Sequence, residues 1–243
     1  MKKSKAPQAM LPLDESRSVA LRGPNKHLFT WHFRRIAQQD WEEFFAGIVH
    51  RTLRHEGAQE QVFDSDTALI ELVDTAVTSV VGYDGVDAEN WKARLPIKHK
   101  FAVGVVLRSV GRERDADDGA LSEFVEVPLS ASWSMEAQSG KMTMYSGLIH
   151  RFRHPSIEQL RKFNFEAART RILGSGDDGI TVYPVRQSIA MKLYDELIDS
   201  VDGYSVGGEP LTGVEAIRRE MDGHHKATAA LEMFAAGSSI EIL

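Results

Sequence analysis

The 243 residues contain no cysteine. That excludes disulfides, thiolate nucleophiles and thiolate metal sites, and with them a stapled secreted scaffold. No stretch approaches the about 18 consecutive apolar residues that span a bilayer, and residues 1–14 carry three lysines without the apolar core of a signal peptide. An excess of positive charge is also missing. The net charge is −6 and the pI near 5.9, so the chain as a whole has no basic footprint for nucleic acid or an anionic membrane. There is no Walker A or HExxH pattern, and His55-Glu56 lacks a second histidine at zincin spacing. Nothing places a nucleophile, a base and an oxyanion hole together. The expectation is no catalytic residue, no metal, no cofactor and a cytoplasmic address, or a particle assembled there.

What is present is a self-similarity. Leu69 to Tyr83 (LIELVDTAVTSVVGY) and Ala190 to Tyr204 (AMKLYDELIDSVDGY) lie 121 positions apart and match at Leu72/Leu193, Asp74/Asp195, Ser79/Ser200, Val80/Val201, Gly82/Gly203 and Tyr83/Tyr204. Other pairs follow at nearby offsets: Phe33/Phe152, Trp41/Leu160 and Phe44/Phe163 at 119, Val62-Phe63/Val182-Tyr183 at 120, His99-Lys100/His225-Lys226 at 126. Such a period is that of a domain duplication, not of a solenoid. Small loop insertions and one larger insertion near Gly207 to Gly213 account for the drift. The expected organisation is an N-terminal arm (1–15), copy one (16–110), a charged linker (111–122, including GRERDADDG) and copy two (123–243). The two copies should pack about a pseudo-twofold axis or line up head to tail.

The pattern within each copy predicts an α+β, helix-rich unit: strand, helix A, a short strand, helix B, a Gly-Tyr turn, a short helix and a terminal helix. Phe29, Trp31 and Phe33 alternate with polar residues, the signature of a half-buried strand over Leu28 to Arg34. Asp40 with Glu43 reads as a capping box for helix A, which carries Trp41, Phe44, Phe45 and Ile48. His55 to Gln61 reads as a loop. Helix B is expected to bury Leu69, Leu72, Val73, Val77 and Val80 and to end at Gly82; its counterpart runs from Ser188 to Val201 and ends at Gly203. Strands are predicted at Phe124 to Leu129 and Lys141 to Phe152, and capping boxes at Ser156/Gln159 and Thr212/Glu215.

Three groups of residues are candidates for chemistry. The recurrent positions Gly82, Tyr83, His99, Lys100 and Gly203, Tyr204, His225, Lys226 come first. If the copies faced each other, His99 and His225 could meet as an acid/base or metal pair of a metal- or small-molecule-dependent enzyme. The alternative is that each histidine packs the start of a helix and each tyrosine closes over helix B. The second group, Arg151, Arg153, Arg161, Lys162, Arg169 and Arg171, forms a basic stretch suited to an acidic partner surface or to phosphates. The net negative charge argues against nucleic acid as the main partner. The third comprises Asp64/Asp66, Asp115/Asp117/Asp118 and Asp177/Asp178, which fit caps and linkers and not a calcium loop.

The motifs DWEEFF (Asp40 to Phe45), GYDG followed by WKARLPIKHK (Gly82 to Lys100) and LYDELIDSVDGY (Leu193 to Tyr204) resemble patterns in uncharacterised proteins encoded in structural gene clusters of tailed phages and prophages. The likeness is scattered along most of the chain and carries over no functional residue. It implies a virion component or assembly factor that binds other protein subunits or its own copies.

Overall fold

The computed structural model describes residues 9–23, 26–55, 58–86, 89–113, 123–136, 139, 141–168, 171–173, 180–182 and 186–236. Its fold is α+β. In chain order the elements are β1 (Leu11–Pro12), β2 (Arg17–Arg22), β3 (Leu28–Phe33), α1 (Gln38–Gly47), β4 (Val49–His55), β5 (Ala58–Asp64), α2 (Asp66–Ala76), β6 (Val77–Val81), α3 (Trp91–Arg94), α4 (Ile97–Leu107) and β7 (Val110–Arg112). Then come β8 (Phe124–Met135), β9 (Met142–Arg153), α5 (Ile157–Ala168), β10 (Arg171–Leu173), β11 (Ile180–Val182), α6 (Arg186–Leu197), β12 (Ile198–Asp202), β13 (Tyr204–Val206), β14 (Glu209–Pro210), α7 (Val214–Glu220) and α8 (Gly223–Ala236).

Two antiparallel sheets, β2-β3-β6 and β7-β8-β9-β12, each lie against helices of their own half. The first shares a core with α1, α2 and α4, centred on Trp31, Trp41, Phe45 and Val73; the second with α6 and α8, centred on Leu129, Phe152 and Tyr194. Each fully buried aliphatic or aromatic side chain contributes roughly 1.5–3 kcal/mol by leaving water. Leu72, Val73, Val77, Leu193, Leu197 and Val201 are all buried, as their pattern predicts.

Helix B ends earlier than the sequence pattern predicts. α2 stops at Ala76 and the chain continues directly as β6; α6 stops at Leu197 and continues as β12. Phe33 pairs with Val77 and His32 with Ser79, leaving Thr78 as an extra residue; Phe152 pairs with Ile198 and Arg151 with Ser200, leaving Asp199. Each bulge re-phases the strand, so that Val77 and Val80, and likewise Ile198 and Val201, all point inward. A spacing of three inside a bulged strand mimics a helical face. Gly82 and Gly203 therefore end strands, not helices. Both have positive φ, and a Cβ on Gly82 would stand 2.3 Å from the Leu28 carbonyl oxygen.

Other local expectations also shift. α1 begins at Gln38, so Asp40 is its third residue and accepts the Ala37 N–H at 2.7 Å while pairing with both Arg34 guanidinium nitrogens. Asp40 needed a residue upstream to cap, which the Glu43 pairing obscured. Of the expected loop at His55 to Gln61, His55 ends β4 and residues 58–61 belong to β5, its antiparallel partner, while residues 56–57 lie outside the described residues. Gly213, with φ +82°, occupies the N-cap of α7 in place of Thr212. Ser156 and Gln159 do form the reciprocal capping box. Of the expected linker, Gly111 and Arg112 belong to β7 and pair with β8; residues 114–122 lie outside the described residues.

The expected arm divides. Residues 1–8 lie outside the described residues. Leu11 and Leu13 are buried in the C-terminal core, with Leu11 N–H on the Gly203 carbonyl at 2.8 Å and Leu13 N–H on that of Ser205 at 3.0 Å. β1 is thus a parallel edge strand on β13. Removing residues 1–15 should consequently destabilise the fold. Leu13→Ala alone is expected to cost about 2–5 kcal/mol, read as a lower urea midpoint at unchanged slope. A truncation with wild-type stability would contradict that docking.

Arg17 fastens the halves together. Its guanidinium is buried, donates to the carbonyls of Leu107, Ser132 and Trp133, and lies 4.2 Å from the Trp133 ring centroid. Burial lowers its pKa to about 10.

Candidate functional site

The recurrent residues of the two halves make matching contacts, each within its own half. In the N-terminal half, the turn after β6 brings Tyr83 over the start of α4. Trp31 Nε1–H donates to Tyr83 Oη at 3.0 Å, and Tyr83 Oη lies 2.7 Å from His99 Nδ1. One residue on, Lys100 Nζ pairs with Asp74 Oδ2 at 2.7 Å. In the C-terminal half, Tyr204 Oη lies 2.9 Å from His225 Nδ1, and Lys226 Nζ lies 2.9 Å from Asp195 Oδ1. The equivalent positions thus form Tyr–His and Lys–Asp pairs twice. His99 and His225 do not form the facing pair that an acid/base or metal site required. Among the described residues no group of three or more acidic or histidine side chains is placed to hold a metal ion.

The C-terminal set extends further. His150 stands on β9 where Trp31 stands on β3. Its Nε2 lies 2.7 Å from Tyr204 Oη, and its Nδ1 lies 2.9 Å from Tyr194 Oη. Tyr194, His150, Tyr204 and His225 form one buried chain of hydrogen bonds. Burial, reinforced by each group's neighbours, keeps it neutral: His150 is held well below the ordinary histidine range, His225 falls to about 3, and both tyrosines are pushed well upward. A neutral imidazole has one N–H and one bare nitrogen. The chain is therefore satisfied with every donor pointing one way, or with all reversed. It can orient protons cooperatively, but its ends are as buried as its middle. Tyr83 is only partly buried, and burial still raises it to about 12.

Among the described residues Lys226 is the most enclosed cation. Its side chain is fully buried and meets Asp195, Gln38 Oε1 at 2.6 Å and the Arg218 carbonyl. Gln38 belongs to α1, so this lysine ties the halves together as well as closing its own. Beside it, Asp222 caps α8: Oδ1 accepts the N–H groups of His224 and His225, and Oδ2 accepts Trp41 Nε1–H at 3.0 Å. His224 Nε2–H donates to the Arg108 carbonyl, and burial lowers its pKa to about 4.

Three members of the basic stretch are engaged within the fold. Arg151 is paired with Glu126 and Asp202, each at 2.7 Å. Arg153 donates to the Glu196 carbonyl and Lys162 pairs with the Glu196 carboxylate. Arg161 is exposed on α5. Arg171 falls in β10, and Arg169 lies outside the described residues, as do Asp115, Asp117, Asp118, Asp177 and Asp178. Two open hollows of about 400 and 290 Å³ are lined by Asp74, Asn90, Trp91 and Lys92 and by Asp40, Glu43, Phe44 and Glu71 respectively; neither lining includes the recurrent histidines.

No family model, curated protein or solved structure matches this chain. Its own geometry is what bears on function.

His150 was legible in one way only. Leu148, His150 and Phe152 align with Phe29, Trp31 and Phe33 at the offset of 119 that relates Phe33 to Phe152. A histidine at a tryptophan position signals a polar partner in the core. The Lys–Asp pairing had a similar trace, because Asp74/Asp195 and Lys100/Lys226 both recur.

Proposed function

We propose that this chain is a non-enzymatic structural or assembly protein that works through protein–protein contacts and is built from two copies of one unit. The likeness of its motifs to tailed-phage structural clusters supports a role in a phage-like particle assembled in the cytoplasm. The observation that carries the reading is the set of large apolar side chains turned outward on two helices: Ile97, Phe101 and Val105 on α4, and Ile157 and Phe165 on α5, three of these five being more than 60% exposed. Clustered exposed apolar side chains mark contact surfaces. The recurrent Tyr–His and Lys–Asp pairs support the duplication. They also support a structural role, because each is absorbed in an internal bond at a helix start. No helix among the described residues is long and apolar enough to cross a membrane.

Light scattering on a sizing column, followed by negative-stain imaging of each peak, tests the reading. A defined oligomer, ring or tube is expected. A 27.1 kDa monomer at every concentration would overturn it.

A further inference from the structure

One junction inside the chain has unused counterparts at both ends. Where the halves meet, α1 of the N-terminal half packs on α6 and α8 of the C-terminal half. Trp41 lies so close to α8 that a Cβ on Gly223 would stand 2.9 Å from it, and Gln38 bonds Lys226. Met191 and Ala227 are buried in the N-terminal core, not in that of their own half. The hairpin strands join at the same junction. The sheet order is β10-β11-β4-β5, so the second strand of the C-terminal pair adds to the first strand of the N-terminal pair.

The offsets that relate the halves carry Met191, Gly223 and Ala227 onto Ile70, Ile97 and Phe101, and Gln38 and Trp41 onto Ile157 and Leu160. All five counterparts are apolar. Ile97 is 67% exposed, Phe101 38% and Ile157 69%, while Ile70 and Leu160 are half-buried. The sheet repeats the pattern, since β5 and β10 are its outer strands. One half offers α2, α4 and β5; the other offers α5 and β10. The two offers are complementary, and they sit at opposite ends of the shared sheet.

We propose that the chain assembles head to tail with further copies of itself, the α2–α4 face of one molecule seating on α5 of the next while β5 pairs with the neighbour's β10. This rests on the assembly reading above and names its partner and geometry. Every neighbour in the four-stranded sheet is antiparallel, so antiparallel pairing of β5 with β10 extends the sheet without inverting the next molecule. It also covers two edge strands whose free backbone groups otherwise invite indiscriminate pairing. A contact of this heterologous kind closes into a ring if its rotation divides a full turn, and otherwise grows as a helical filament.

The absence of native cysteine makes the test clean. Ile97→Cys and Ile157→Cys are both exposed, first-turn substitutions, treated with a short bismaleimide. A mixture of the two single variants should crosslink to dimer, the double variant should give a ladder of covalent multiples, and each single variant alone should stay uncrosslinked. Phe101→Asp should weaken self-association by at least about tenfold with an unchanged melting curve. Dimerisation of Ile97→Cys with itself would show a twofold contact and overturn the proposal. So would an oligomer that yields no ladder, or one untouched by Phe101→Asp; those outcomes leave the broader assembly reading standing. A wild-type chain that remains monomeric overturns both.

Discussion

Lys226→Met is expected to destabilise the protein by about 3–5 kcal/mol, the cost typical of removing one partner from a buried charged pair. Lys226 is fully buried and meets acceptors from three elements or their ends: Asp195 on α6, Gln38 on α1 and the Arg218 carbonyl on α7. Methionine fills much of the same volume, so the loss isolates polar satisfaction from packing. The matched substitution Lys100→Met should cost less. Lys100 pairs with Asp74 within one half, and Asp74 also accepts Lys92 at its backbone carbonyl. Paired urea titrations measure the difference. Equal losses would sink the claim that Lys226 holds the halves together as well as its own.

Stability should also fall steeply as the pH drops from about 6.5 towards 4. His150, His224 and His225 are neutral in the folded chain, with His224 lowered to about 4, His225 to about 3 and His150 well below its ordinary value. The unfolded chain binds protons on all three as pH falls through the ordinary histidine range, so it binds more protons than the folded state and stability is lost in that window. Each fully neutral histidine contributes about 1.4 kcal/mol per pH unit. Charges around them oppose one another: Asp222 favours protonated His224, whereas Arg108 disfavours it and Arg17 disfavours protonated His225. Below the window, Asp40, Glu196 and Glu220 add to the loss, because hydrogen bonds from Arg34, from Lys162 and from Arg219 and Arg35 hold these carboxylates below their ordinary range. Urea midpoints at pH 7.5, 6 and 5 check the trend. His225→Gln should flatten it by about one proton's worth. A stability that stays level from pH 7.5 to 5 would contradict a neutral buried Tyr–His chain.

Periodicity exposed the cores of α1, α2 and α6 because Trp41, Phe44, Leu72, Val73, Leu193 and Leu197 face one side at helical spacing. It misplaced the ends of the second and third of these helices for the same reason. A bulge at Thr78 or Asp199 keeps the next inward residue three positions on, and no count of spacings separates that from another helical turn. Pairing with β3 or β9 makes the difference, and that partner lies about 45 residues away in sequence. Leu11 and Leu13 looked like part of a polar, proline-broken tail, since only the edge of β13 gives their backbone a partner. The basic stretch looked continuous from Arg151 onward because the acids that pair with Arg151 and Lys162, namely Glu126, Asp202 and Glu196, come from other strands and helices.

The sequence alone determined the α+β class, the inward residues of the main helices and the recurrence of Tyr, His, Lys and Asp at matched positions. Those follow from local side-chain chemistry and from repetition, which need no knowledge of contacts. Tertiary structure decided what the recurrent residues do. Only packing brings Tyr204 to His225 and adds His150 and Tyr194 to them, and only packing takes Gln38 across to Lys226. Equivalent helix faces also met different fates. Gly223 and Ala227 are covered by the N-terminal half while Ile97 and Phe101 face outward, because only packing decides which helix face meets another element.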